Sequence, residues 1–277
     1  LNRLILAVFF GMINKNGVLM KKKKECDSFN KFIKIVKRLR KECPWDRKQT
    51  HKSIRCSLIE ETYEVIEAIN LENHTELKQE LGDILLHIVL HAVIAEEEQA
   101  FTLNDVIESI SEKMTRRHPH VFGNTRVKNA QDVKRNWEHI KLKEGRISVI
   151  DGVPTEMPAL LRAFRIQEKA SKVGFDWKRK SDVWKKVVEE INELTGAELS
   201  KKQKRIKEEF GDVLFALVNY SRFIGINPEF ALNASTNKFS ERFYHIEKEL
   251  QRRGKRIQSV SMKEMDEIWD AKKRSET

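Results

Sequence analysis

The chain writes nearly the same passage twice, 129 residues apart. "QELGDILLHIVLH" (79–91) returns as "EEFGDVLFALVNY" (208–220), and "IEETYEVIEAI" (59–69) aligns with "VEEINELTGAE" (188–198). One shift pairs Glu60 with Glu189, Glu61 with Glu190, Glu64 with Glu193, Glu80 with Glu209 and Asp83 with Asp212. "CPWD" and "GFDW" precede the two acidic segments at nearly the same distance. A duplication explains this register better than chance. It also restricts the fold, because whatever one half forms the other must form too.

The repeated unit reads as helical. Apolar residues recur three and four apart in 29–42, and further helices are expected from a Thr50 cap to about Asn70, over Thr75–Glu98, over Leu103–Arg117 and over 130–144. The second half repeats the plan at 159–173, 181–196, 199–224, 228–251 and 261–274, the last opened by a Ser261–Glu264 capping box. Only 11 Gly and 5 Pro interrupt 277 residues, and no β-branched alternation is long enough for a sheet. The expected fold is all-α, with tandem duplicated helical-bundle domains at 25–145 and 159–277. The stretch 146–158, inside "EGRISVIDGVPTEMPAL", is the linker between them.

Residues 1–24 stand apart. "LILAVFFGMI" followed by "KKKK" looks like an anchor, but the apolar run is about ten residues against roughly 20 needed to cross a bilayer. The positive cluster follows the run instead of preceding it, and no small-residue cleavage site is evident. Met12 and Met20 offer downstream starts, so 1–24 is expected to be a leader outside the folded protein, which reads as soluble. Three cysteines, Cys26, Cys43 and Cys56, form no CxxC pair. That excludes a disulfide framework and fits a reducing cytoplasm. The formal charge of +11 attracts phosphates, whether in nucleic acid or in a nucleotide. Without an arginine-rich arm carrying interleaved aromatics, the nucleic-acid reading stays weak. No P-loop or GxSxG motif is present.

The chemistry concentrates in the repeated acids. Residues three or four apart share a helix face, so Glu190 projects with Glu193, and Glu209 with Asp212. If the two helices pack antiparallel, four carboxylates converge at the head of an apolar stripe, "VLFALV". An oxygen-only donor set suits Mg²⁺ or Mn²⁺. Glu61, Glu64, Glu80 and Asp83, with Glu60 beside them, make the corresponding second site. Gly211 and Gly82 each cost about 1 kcal/mol against alanine in a helix; removing a side chain there lets a neighbouring helix or a ligand approach. His87 and His91 follow Asp83 at helical spacing, but Ala216 and Tyr220 replace them in the second copy, so core histidines are expected. His118 and His120 read as loop residues.

These segments resemble the EExxE…ExxD signature of the MazG family of all-α nucleoside triphosphate pyrophosphohydrolases. "CPWD", "RRHPHVFG", "NWEHIK", "IQEKASKVGFDW" and "NKFSERF" extend the likeness, in order, across roughly residues 29–274, as in the two-domain members. The resemblance implies Mg²⁺-dependent cleavage of nucleoside triphosphates to monophosphate and pyrophosphate, and a homodimer in which bundles pair. It implies that the second repeat is catalytic, with Glu190, Glu193, Glu209 and Asp212 as metal ligands. Nucleotide contacts carried over are Lys186, Glu189, Glu190, Arg205, Lys238, Arg242 and Trp269. Glu189 is further placed to orient water, act as a base or ligate the metal, and Trp269 to stack on a base or to serve as a core residue. The first repeat keeps all its acids and can bind metal, hydrolyse slowly or act as scaffold. Two alternatives stand beside this reading: a dUTPase-like or phosphoribosyl-ATP pyrophosphohydrolase-like enzyme of the same class, and a basic helical nucleic-acid-binding module.

Overall fold

The computed structural model describes residues 27–276, apart from 131, 134–135, 138–139, 141–143 and 145–147. The expected leader 1–24 lies outside the described residues, as does most of the 130–144 helix and the start of the 146–158 linker. The described residues contain no strand. The chain divides into two compact units that part between Arg126 and Val127.

In the first unit, α1 (27–42) leads through a 3-10 turn at Asp46–Lys48 to α2 (Arg55–Asn70), α3 (His74–Glu97), α4 (Leu103–Arg117) and the single turn α5 (Pro119–Phe122). Its core joins Val36 of α1 to Val89, Leu90, Val93 and Ile94 of α3, with Ile54 beneath α2. These positions recur at three- and four-residue spacing because only one stripe of each helix can face the interior. Arg40 fastens α1 to the end of α3 through Glu97 at 2.9 Å. Asn73 caps α3 by accepting from the amides of Thr75 and Glu76, and Thr102 with Asp105 forms a full capping box on α4.

The second unit repeats the order: α6 (Ala159–Ser171), α7 (Lys180–Leu199), α8 (Gln203–Phe223) and α9 (Pro228–Arg252), followed by a 3-10 turn at Ile257–Ser259 and α10 (Met262–Ser275). The helix pairs α2–α3 and α7–α8 are hairpins closed by short turns. Each turn passes through a left-handed residue, Glu72 at φ 53° and Lys201 at φ 53°, again 129 residues apart. The duplication therefore reaches the backbone conformation of a residue type that rarely adopts it. Trp184 packs on Tyr220 across the second hairpin, with ring centroids 4.9 Å apart. A separate cluster of Ile246, Leu250 and Ile268 joins α9 to α10.

Three local expectations change. Thr50 does not cap α2: its hydroxyl accepts from the Ser53 amide in a turn, and the helix starts at Arg55 behind Ile54, which makes no side-chain cap. Ser261 does cap α10, accepting from the Glu264 amide, but the Glu264 carboxylate turns to Lys255 at 2.7 Å. An ion pair has displaced the reciprocal half of that box. At Gly82 and Gly211 an added Cβ would meet nothing within 4 Å. Close helix packing within the chain is therefore not what these glycines serve.

Candidate active site

Each hairpin sets three carboxylates from mid-helix positions against one another. In the second unit Glu190 and Glu193 of α7 face Glu209 of α8, and one oxygen of each lies within 4.8 Å of the others. In the first, Glu61 and Glu64 of α2 meet Glu80 of α3 within the same limit. The i, i+3 spacing brings the first two acids of each triad onto one face. The hairpin register supplies the third, because Glu193 and Glu209 lie equally far from the Lys201 turn.

The acids feel each other. Loss of hydration, then the charges of Glu190 and Glu209, push the Glu193 carboxyl above its ordinary value. Glu61 is raised by loss of hydration, then by its hydrogen bond and charge contact with Glu64, then by Asp83 and Glu80. Glu80 is raised by loss of hydration and by Glu64, with Asp83 and Glu76 adding to it. Like charges gathered this closely favour either a proton or a cation.

The two triads differ in what surrounds them. In the second unit the Lys186 amine lies 2.7 Å from Glu190 and 2.8 Å from Glu189, and these hydrogen bonds push its pKa upward. Arg205 pairs with Glu209 at 3.4 Å. One repeat earlier these positions are Ser57 and Glu76, so the first triad has a hydroxyl and another acid where the second has two cations. Glu190 is buried, while Glu189 points outward beside Lys186. The corresponding Glu60 is exposed as well.

Not every candidate joins the triad. Asp212 stands one turn further along α8, outside the three converging oxygens, on the wall of an adjoining cavity that Glu190 and Lys186 also line. Asp83 is its counterpart, outside the first triad yet near enough to raise Glu61 and Glu80. Arg242 and Trp269 form a group of their own on α9 and α10. The Arg242 guanidinium lies 5.4 Å from the Trp269 ring centre and pairs with Glu276 at 2.6 Å, and Trp269 packs against the Ile246–Leu250–Ile268 core. Among the described residues no hydrogen bond or ion pair connects Lys238, Arg242 or Trp269 to the triad.

His87 is buried, as expected of a core histidine, and burial lowers its pKa. His91 stacks on His51, their Nδ1 atoms 2.7 Å apart. His118 turns its Nδ1 to the Met114 carbonyl at 2.6 Å.

Sequence reasoning missed the buried polar residues around the cavity. Gln167 of α6 is 8 % exposed and Asn219 of α8 6 %. The only available signal was a glutamine and an asparagine in register with the apolar stripes of their helices. No helix among the described residues is long and apolar enough to cross a membrane.

Comparison with known proteins agrees with this geometry. The MazG nucleotide pyrophosphohydrolase domain matches twice, at residues 49–122 and 179–246, each match enclosing one hairpin and its triad. The nucleoside triphosphate pyrophosphohydrolase/pyrophosphatase MazG of Thermotoga maritima is 46 % identical over 250 residues, covering 88 % of this chain and 95 % of that protein. The nucleoside triphosphate pyrophosphohydrolase of Escherichia coli K12 is 39 % identical over 259 residues, 90 % of this chain and 98 % of its own length. YabN of Bacillus subtilis, an uncharacterized protein, is 47 % identical over 254 residues, which is 52 % of its length. With two domain matches and relatives aligned over nearly their full length, the chain belongs to the MazG nucleotide pyrophosphohydrolase family.

Proposed function

We propose that the chain is a Mg²⁺-dependent hydrolase that cleaves nucleoside triphosphates to monophosphate and pyrophosphate at the triad of its second unit, clearing nucleotides from the pool. The Thermotoga and Escherichia relatives, each named a nucleoside triphosphate pyrophosphohydrolase, support the reaction. The observation that carries the choice of site is the pair of oxygen-only triads, of which the second alone has Lys186 and Arg205 against its carboxylates.

The donor set fits a hard divalent cation. Three carboxylates converge, and Glu193 already holds its proton more tightly than an isolated side chain does. Glu190, Glu193 and Glu209 would hold Mg²⁺, with Asp212 one turn away; Mn²⁺ prefers the same oxygens. When bound, the cation supplies Lewis-acid polarisation of the phosphoryl oxygens and neutralises their charge. The chain's own cations do the rest of the electrostatic work. Lys186 is kept charged by two carboxylates and sits at the rim where phosphate oxygens arrive, and Arg205 stands beside Glu209. Both offset the negative charge that builds on a leaving pyrophosphate. Glu189, outside the triad and paired with Lys186, is the carboxylate that orients a water or takes its proton.

We further propose that the chain works as a homodimer. Phe210, Leu214 and Leu217 form an exposed apolar stripe on α8, and Leu81, Leu85 and Ile88 repeat it on α3. Stripes of this kind at i, i+4, i+7 spacing ask for a covering helix.

Product analysis tests the reaction. With Mg²⁺ and a panel of common triphosphates, dUTP and phosphoribosyl-ATP, the expected products are a monophosphate and pyrophosphate; diphosphate and phosphate refute the assignment. Glu209→Ala should abolish pyrophosphate release with helical circular dichroism intact, whereas Glu80→Ala should leave most turnover. The reverse pattern would place catalysis in the first unit.

A further inference from the structure

The second unit contains a cavity of about 290 Å³ that begins at Glu190, Asp212 and Lys186 and runs between α6, α7 and α8. Its walls are mainly apolar, and two aromatic residues of the loop before α7, Phe175 and Trp177, line it. Small-ligand sites combine such walls with a few fixed polar groups, and the far part of this cavity has them. Arg222 donates to the Asn219 Oδ1 at 2.5 Å and pairs with Asp176 at 2.7 Å. That contact orients the Asn219 side chain and leaves its amide N–H groups as donors to a ligand. Gln167, also on the wall, donates its Nε2 to the Phe215 carbonyl at 2.9 Å, which leaves its buried Oε1 without a hydrogen-bond partner. A buried acceptor left unpaired is costly, and a ligand N–H would satisfy it.

The duplication supplies a control within the same chain. The counterparts of Ala216, Asn219 and Arg222 are His87, Leu90 and Val93. All three are buried in the first unit, Leu90 and Val93 within its core. Where the second unit has a small residue and two polar ones around a cavity, the first has a buried imidazole and two buried apolar side chains.

We propose that this cavity receives the nucleobase of the substrate, with Phe175 and Trp177 against its face and Gln167 and Asn219 reading its N–H and acceptor edge. The first unit keeps a carboxylate triad but sets a buried imidazole and two buried apolar side chains at the positions corresponding to this wall. This rests on the reading of the second triad as the phosphate site.

Two variants test it. Ala216→His brings the first unit's residue into the cavity, and Trp177→Ala removes a wall residue that is 43 % exposed and so tolerates truncation. Trp177→Ala should raise KM for nucleoside triphosphates roughly tenfold, the value of one lost base stack, and Ala216→His should raise it further. Calorimetric binding of Mg²⁺ without nucleotide should match wild type in both. Unchanged KM for every triphosphate in Trp177→Ala overturns the proposal, as does a loss of Mg²⁺ affinity that parallels the loss of activity. If Ala216→His does not fold, Trp177→Ala decides alone. Should the wild type hydrolyse no triphosphate, the reaction assigned to the triad is wrong. Calorimetry with AMP, CMP, GMP and UMP then still tests the cavity: binding that Trp177→Ala weakens upholds it, and equal or absent binding overturns it.

Discussion

Replacing Glu209 by glutamine should make the metal-free protein more stable and the Mg²⁺-loaded protein relatively less so. The substitution keeps the shape of the side chain and removes one of three converging charges. At the 4.8 Å limit separating the triad oxygens, repulsion between Glu209 and Glu190 is worth about 0.9 kcal/mol at the dielectric of water and about 3.5 kcal/mol at an effective dielectric of 20. The Glu209 side chain is 16 % exposed, which places the pair between those limits. Against this stands the lost pair with Arg205, an i, i+4 contact worth about 0.3–0.5 kcal/mol. The net gain without metal is about 0.5–3 kcal/mol, or about 1–12 °C in Tm for a unit of this size. Saturating Mg²⁺ narrows the difference or reverses it, because a ligand at 100 times its Kd adds about 2.7 kcal/mol to a protein that binds it. Differential scanning calorimetry in EDTA and in Mg²⁺ measures both halves. If Glu209→Gln melts below wild type in EDTA, or if Mg²⁺ lifts both proteins alike, the triad is not a strained cation site and the reasoning fails.

Gly211→Ala should stabilise α8 by up to about 1 kcal/mol, since a Cβ there meets nothing within the protomer. If the open space serves a ligand or a second copy, thermal stability will rise while turnover or dimer affinity falls; unchanged values of both would assign the glycine no such role. Arg242 holds the Glu276 carboxyl below its ordinary value of 4.5 through hydrogen bonds and charge, with help from Lys272. A depressed carboxyl contributes stability above the unfolded-state value that is lost as pH falls through the folded one. The Tm difference between wild type and Arg242→Ala should therefore be present at neutral pH and shrink below about pH 4.5. A difference that grows on acidification contradicts the ion pair.

The helices were legible because their signals are local. A 3.6-residue period marks each apolar stripe, and two acids at i, i+3 must share a face whatever else the chain does. Local signals also misled. A threonine near a helix start suggested a cap, yet the Thr50 hydroxyl was already engaged by the Ser53 amide. The apolar runs of α3 and α8 are also not wholly inward, since Leu81, Leu85, Phe210 and Leu214 are exposed. A helix of this pattern can bury one flank in its own hairpin and expose the other, and periodicity does not distinguish a flank facing a partner from one facing the core.

The sequence by itself determined that the protein is a duplicated all-α chain with two sets of carboxylates on paired helices, since repeat register and helical periodicity are properties of sequence order. Only the tertiary structure decided which carboxylates meet. Glu209 joins Glu190 and Glu193, while Asp212, one turn on, faces the cavity, because the rotation of α8 against α7 is fixed by packing along the whole hairpin. It also decided that Gln167, Asn219 and Glu190 line one cavity. These residues come from three helices, and their proximity exists only once α6 has folded onto the hairpin.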